Sequence, residues 1–145
     1  MPSLNSIPWQ AWAIFSAVFA ALTAIFGKIG VENVGSDFAT FIRTIVILVV
    51  LAGMLTLTGE FQPLRSISSR TYLFLALSGL ATGGSWLCYY RALKLGPAAQ
   101  VAPIDKMSVV MVAVFSVAFL GEKLAAKNWA GVVLIAIGAV LVALK

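Results

Sequence analysis

Tyr90-Arg-Ala-Leu-Lys-Leu-Gly-Pro-Ala-Ala-Gln-Val-Ala-Pro-Ile-Asp-Lys-Met-Ser-Val-Val110 is the stretch on which the fold turns. Gly96-Pro97 breaks it in two, because proline donates no backbone hydrogen bond and disfavours helix in the residue before it. The apolar run that ends at the break begins near Thr71, and the run that follows continues to Leu120. Each is about 20 residues long, enough to cross the hydrocarbon core of a bilayer as a helix. With so short a connection the two helices are antiparallel neighbours. The second run also carries Asp105 and Lys106 inside its apolar sequence, and ionisable residues there are rare and default to a functional role.

Outward from this pair the pattern repeats. Gly30, Gly35 and Ser36 precede an apolar run that Gly59 and Pro63 follow, and Gly121 ends the run that starts at Ala99. Five helices are expected, over about 7–27, 37–57, 71–93, 99–120 and 127–144. Asp37 is positioned to cap the second. The first lacks a basic segment before it and is longer than a signal-peptide core, so it reads as a membrane helix. The fold class is therefore all-α, an integral membrane bundle of five transmembrane helices in one domain spanning residues 1–145.

Composition agrees and excludes much else. Of 145 residues 61% are apolar and 10% charged, and the mean hydropathy of +1.03 is far above that of soluble chains. With no His and one Cys, a zinc site, an iron–sulfur cluster or a disulfide framework cannot be assembled within the chain. No cofactor or metal is expected, no nucleophile and base are spaced for catalysis, and the chain is not read as an enzyme. A net charge of +5 would suggest nucleic acid in a soluble protein, but the ten basic residues are scattered singly. They read as topology signals, and no nucleic-acid partner is expected. Five spans put the termini on opposite faces. Arg65, Arg70, Lys123 and Lys127 fall on the N-terminal face, and Lys28, Arg91, Lys94 and Lys145 on the other. Four against four gives no bias, so the chain is expected to insert in both orientations.

Two helices carry polar or small stripes. Ser78, Thr82, Ser85 and Tyr89 share one stripe of the third helix, beside Gly79 and Gly83. The glycines suit helix packing; the hydroxyls suit either packing or a cavity wall. Trp86, Tyr89 and Tyr90 anchor at the headgroup level or wall a ligand, and Trp86, the deepest, suits the second role best. In the fifth helix Gly131 and Gly138 lie on one face, a groove for a helix of the same chain or of a second copy.

The charges inside spans matter most. Arg43 and Asp105 lie about six residues into helices that start from the same face, hence at a depth of ~9 Å. They can meet, either as an ion pair locking two helices or as part of a solute site. Lys106 joins them or extends to the interface. All three ionised leave the layer net positive by one, which favours an anionic or zwitterionic solute over a lipophilic cation. Asp105 is the candidate for proton coupling, weakened by its cationic neighbours. The expected substrate-binding or coupling residues are Arg43, Asp105, Lys106, Trp86, Tyr89, Ser85, Thr82 and Ser108.

Tyr90 to Val110, Phe119-Leu-Gly-Glu-Lys123 and Gly131 to Gly138 together resemble an EamA-type repeat of the drug/metabolite transporter superfamily. Phe26-Gly-Lys-Ile-Gly30 and Phe41-Ile-Arg-Thr44 extend the resemblance more loosely to the first helix pair, so that it covers nearly the whole chain. It implies a single-repeat, five-helix member, half of an inverted-repeat transporter. Such a half completes its architecture by pairing with a copy inserted the other way up, an antiparallel homodimer. Gly131 and Gly138 would then form the dimer interface, as in the similar small multidrug resistance transporters. The glutamate those proteins carry in the first helix has no counterpart here, since no acid occurs between Ile7 and Gly27. Met107-Ser108-Val109 stands where many members have Leu-Ser-Pro, so the proline that kinks those members is missing.

The resulting expectation is a secondary transporter, an exporter of small polar metabolites, in the lipid bilayer of a prokaryotic inner (plasma) membrane. A small-multidrug-type exporter of lipophilic cations and a non-transporting scaffold or accessory subunit are the alternatives.

Overall fold

A computed structural model of the protein describes residues 8–144, and among these all regular structure is helical. Ile7, the expected start of the first helix, and Lys145 lie outside the described residues. The helices are α1 (Trp9–Gly30), α2 (Ser36–Thr58), α3 (Ser69–Leu95), α4 (Ala98–Asp105), α5 (Met107–Leu120) and α6 (Ala126–Ala143), with a single 3₁₀ turn at Leu64–Ser66. Two glycine stops act as their sequence suggests. Gly59 ends α2 with φ 69° and Gly121 ends α5 with φ 68°, left-handed conformations that a side chain disfavours. Gly59 donates its N–H to Leu55 O and Gly121 to Ser116 O, so one carbonyl near the end of each helix is satisfied by its cap.

Two expectations are corrected. Asp37 does not cap α2: Gly35 occupies that position with no side-chain cap, and Asp37 sits in the first turn, occupied by a partner from α3 described below. The run expected as one helix over 99–120 is interrupted at Lys106, whose φ −69° and ψ −6° stay in the right-handed region but with ψ displaced from the regular α-helical value. Pro103 lies inside α4 and has no N–H to offer Ala99, so the hydrogen-bond ladder is already weakened one turn ahead of the break. Beyond it, Val109 N donates to Lys106 O, three residues back, a tightened turn that restarts the ladder as α5. The interruption thus survives although the proline three residues further on is absent.

Among the described residues four helices are long and apolar enough to cross a membrane: α1, α2, α4 with α5 taken together, and α6. α3 has the length, with 27 residues, but falls short on apolarity because Ser78, Thr82, Ser85 and three glycines interrupt it. It is the helix whose surface least suits lipid.

The chain forms two compact units, Lys28–Lys94 and the remainder, with the boundary inside α1 after Gly27. In the second of these α6 packs against α4 and α5. The face it turns inward is Val132, Ala136, Ala139 and Ala143, with Ala139 buried. Three alanines let backbones approach closely, which is how helices associate where no water drives them together. Leu134, Gly138 and Leu141 lie on the opposite, exposed side. A Cβ added to Gly131 or Gly138 would meet nothing within 4 Å.

In Lys28–Lys94 the enclosed side chains are Val31, Thr40, Tyr90 and Leu93, gathered where α2 begins and α3 ends. Polar ties close that end. Lys28 Nζ donates to Leu93 O at 2.6 Å and Lys94 Nζ to Val34 O at 2.6 Å. Arg91 Nη2 meets both carboxylate oxygens of Asp37, at 3.1 and 2.9 Å. A cation at the last turn of α3 and an anion in the first turn of α2 each suit the helix dipole there.

Candidate functional site

Arg43 is carried about two turns into α2, on the side facing the last turns of α3. Its guanidinium carbon lies 3.0 Å from the centroid of the Trp86 ring, and 5.6 Å from that of Tyr90. Only a face-on stack allows the shorter distance. Trp86, Tyr89 and Tyr90 are themselves in contact, with centroids 6.0 to 6.4 Å apart. Tyr90 is buried, while Trp86 and Tyr89 are half-buried. Aromatic residues that serve merely as headgroup anchors would not need to converge on one arginine. Arg43 and Trp86, two of the expected site residues, are brought together, and Tyr90 joins them.

The stack does not complete the arginine's requirements. Within its unit Arg43 makes no hydrogen bond and no ion pair, although a guanidinium has five N–H donors. A cation held within a span costs ~2.5–3.5 kcal/mol on insertion scales, and a desolvated cation–π contact returns about 2 kcal/mol. The stack alone falls short, and it leaves the in-plane donors unsatisfied. The guanidinium edge therefore requires water, an anion or a partner group, and cannot be turned to lipid.

The hydroxyl stripe is on the same helix. Thr82 Oγ1 donates to Ser78 O at 2.8 Å, so its proton is taken up by its own helix and only its lone pairs remain to be used. Ser85, next to Trp86, is exposed and has no hydrogen-bond partner among the described residues.

Asp105 and Lys106 flank the interruption between α4 and α5. Lys106 Nζ is 3.4 Å from Asp105 Oδ2, and the two side chains are 54% and 34% exposed. Adjacent residues on a regular helix point about 100° apart and do not pair. The pair straddles the junction of α4 and α5 at Lys106. Ser108, in the first turn of α5, is exposed. The sequence placed Arg43 and Asp105 in one layer; the structure shows each in its own unit and with its own neighbours. No cluster of three or more His, Cys, Asp or Glu side chains able to hold a metal occurs among the described residues.

Three contacts escaped sequence reading: Arg91 with Asp37, Lys28 with Leu93 O, and Lys94 with Val34 O. These cations read only as topology signals. The hint was that Asp37, Arg91 and Lys94 fall at the same end of antiparallel neighbours.

A model of the EamA-like transporter family matches residues 7–144. The chain belongs to this family. It contains a single EamA-type repeat, as the motif around Gly96-Pro97 suggested. A relative from a Sinorhizobium species, described as an uncharacterized transporter in the cobO 3′ region, is 64% identical over 135 residues, 93% of this chain and 96% of the relative. No solved structure matches. Membership in this family and the relative's description point to a multi-pass membrane transporter rather than an enzyme, with a small molecule as its substrate.

Proposed function

We propose that this EamA-like protein is a secondary transporter, acting as an exporter of small anionic or zwitterionic metabolites, in a prokaryotic inner membrane. The observation that carries the reading is Arg43, a cation inside a span, stacked on Trp86 and left without a counter-ion in its unit. An uncompensated guanidinium attracts an anion and repels lipophilic cations, which argues against the multidrug alternative. The relative's description as a transporter supports the same class.

The working unit is an antiparallel homodimer formed by copies inserted in both orientations. Three features support it. The basic residues are evenly divided between the faces, a single repeat is half of an inverted-repeat architecture, and much of the apolar and polar surface is left uncovered in one copy. Gly138 and its neighbours on the outward side of α6 offer a surface for the same helix of a second copy, beside a shallow apolar depression of ≈ 280 Å³ lined by Ala136, Ile137, Val140 and Leu141. The hydroxyl stripe of α3 would line the cavity, with Arg43 as the anion receptor and Asp105, Lys106 and Ser108 at a broken helix as the second polar site. Broken helices are where transporter folds hold substrate and coupling ions. Rocking of the two copies about the dimer axis exposes the cavity alternately to each side.

The test is transport in liposomes reconstituted with the purified protein. Counterflow of a panel of labelled amino acids and carboxylic acids is expected, lost in Arg43→Ala and in Asp105→Asn while both variants remain dimeric. A protein that moves none of them and copurifies with a larger membrane complex would instead be an accessory subunit.

A further inference from the structure

The position of the Arg43 ring stack restricts what kind of anion it can hold, and this deepens the proposed transport reading on which it rests. One face of the guanidinium is covered by Trp86 at 3.0 Å, and Tyr90 lies near at 5.6 Å. A ligand cannot replace the ring without breaking the stack, so it must approach the edge, where the N–H groups lie in the guanidinium plane. An edge-on approach to a planar fork matches a carboxylate, whose two oxygens are coplanar and spaced for paired N–H···O bonds.

Donor geometry narrows the choice further. The other basic side chains at this end of the unit point their donors elsewhere: Lys28 to Leu93 O, Arg91 to Asp37 and Lys94 to Val34 O. Arg43 is therefore the cation whose fork is left for a ligand. A phosphate monoester carries about −1.5 to −2 at pH 7 and three strong acceptor oxygens, of which one fork bonds two and leaves the third without a donor. A monocarboxylate has both its oxygens satisfied by one fork, and the aromatic rings give apolar surface for the short body behind it.

We propose that Arg43, backed by Trp86 and Tyr90, is a monocarboxylate site that binds its ligand edge-on and discriminates against phosphate. The stack orients the fork, so the fork shape as well as the charge is required. Arg43→Lys keeps the charge and loses both the paired donors and the stacking plane.

The experiment uses the full chain in detergent or nanodiscs, with Trp9, Trp12 and Trp129 replaced by Phe so that emission reports Trp86 alone. Butanoate at millimolar concentration is expected to give a saturable change in emission, inorganic phosphate and tetraethylammonium none. Arg43→Lys is expected to weaken butanoate at least about tenfold, the loss of one charge-assisted hydrogen bond. Should the Phe variants fail to fold, the Arg43 side-chain N–H resonances of the otherwise native chain, assigned by their loss in Arg43→Lys, report the same event. Absence of a saturable response to butanoate, equal binding of phosphate, or full binding in Arg43→Lys would each overturn the proposal. The transport reading is tested apart from it. Butanoate binding without counterflow in liposomes leaves the site and removes transport, whereas counterflow of acids that persists in Arg43→Lys leaves transport and removes the site.

Discussion

The two polar sites within spans, Arg43 on α2 and the Asp105–Lys106 pair between α4 and α5, handle the same problem in opposite ways. Arg43 sits on an unbroken helix and leans on aromatic rings from α3, which soften its charge without neutralising it. Asp105 is the last residue of α4, and its neighbour Lys106, at the junction with α5, neutralises it from within the same segment. A regular helix holds a cation ready for an outside anion; an irregular one makes its own ion pair. The first arrangement stores unsatisfied donors, the second stores backbone irregularity, and these are the two devices by which membrane proteins keep polar function at depth.

The largest effect that can break this contrast is at Arg43. Arg43→Ala is expected to lower the transport rate by about 100-fold, ~3 kcal/mol, because the cation stacked on Trp86 within the span is removed. Initial rates of counterflow in liposomes measure it, and a rate within a factor of two of the parent would show the arginine to be structural. Asp105→Asn comes next, with a fall of about tenfold or more, since it strands Lys106 as an unpaired cation. If the Asp105→Asn, Lys106→Met double variant regained the parent rate, the pair would serve only to compensate itself.

Gly138→Leu probes the outward side of α6. A Cβ added there meets nothing within 4 Å, so the monomer is expected to fold, while cross-linking in membranes is expected to shift from dimer towards monomer. An unchanged dimer would move the interface elsewhere. The smallest effect is at Asp37. Its pairing with Arg91 is largely exposed, 64% and 59% for the two side chains, and Asp37→Asn is expected to lower stability by less than about 1 kcal/mol, within a few degrees of thermal unfolding.

Helix placement was legible to within a few residues because, in a bilayer, apolar length and glycine or proline breaks decide which segments are helical. Gly59 and Gly121 are the clearest cases, read as stops and found with positive φ. The break at Lys106 was not legible. It depends on how a ladder weakened by Pro103 relaxes, which the residue types around it do not state. Asp37 misled for a related reason: a cap preference is local, and Arg91 from another helix offers its carboxylate a charged partner instead. At the candidate site the sequence picked out Arg43 and Trp86 separately, from depth and stripe position. Their stacking needed the lateral placement of α2 against α3, which periodicity does not contain.

By itself, then, the sequence determined that this protein lives in a membrane, where its helices lie, which charges fall inside them and which family it resembles; of the five spans expected, four are apolar enough to cross. These follow from transfer energies and turn chemistry, which act residue by residue. Tertiary structure decided which groups those charges meet: rings for Arg43, Lys106 for Asp105, Arg91 for Asp37. Charge and ring contacts act over a few ångströms, and only folding brings residues 43 positions apart, as Arg43 and Trp86 are, to within that range.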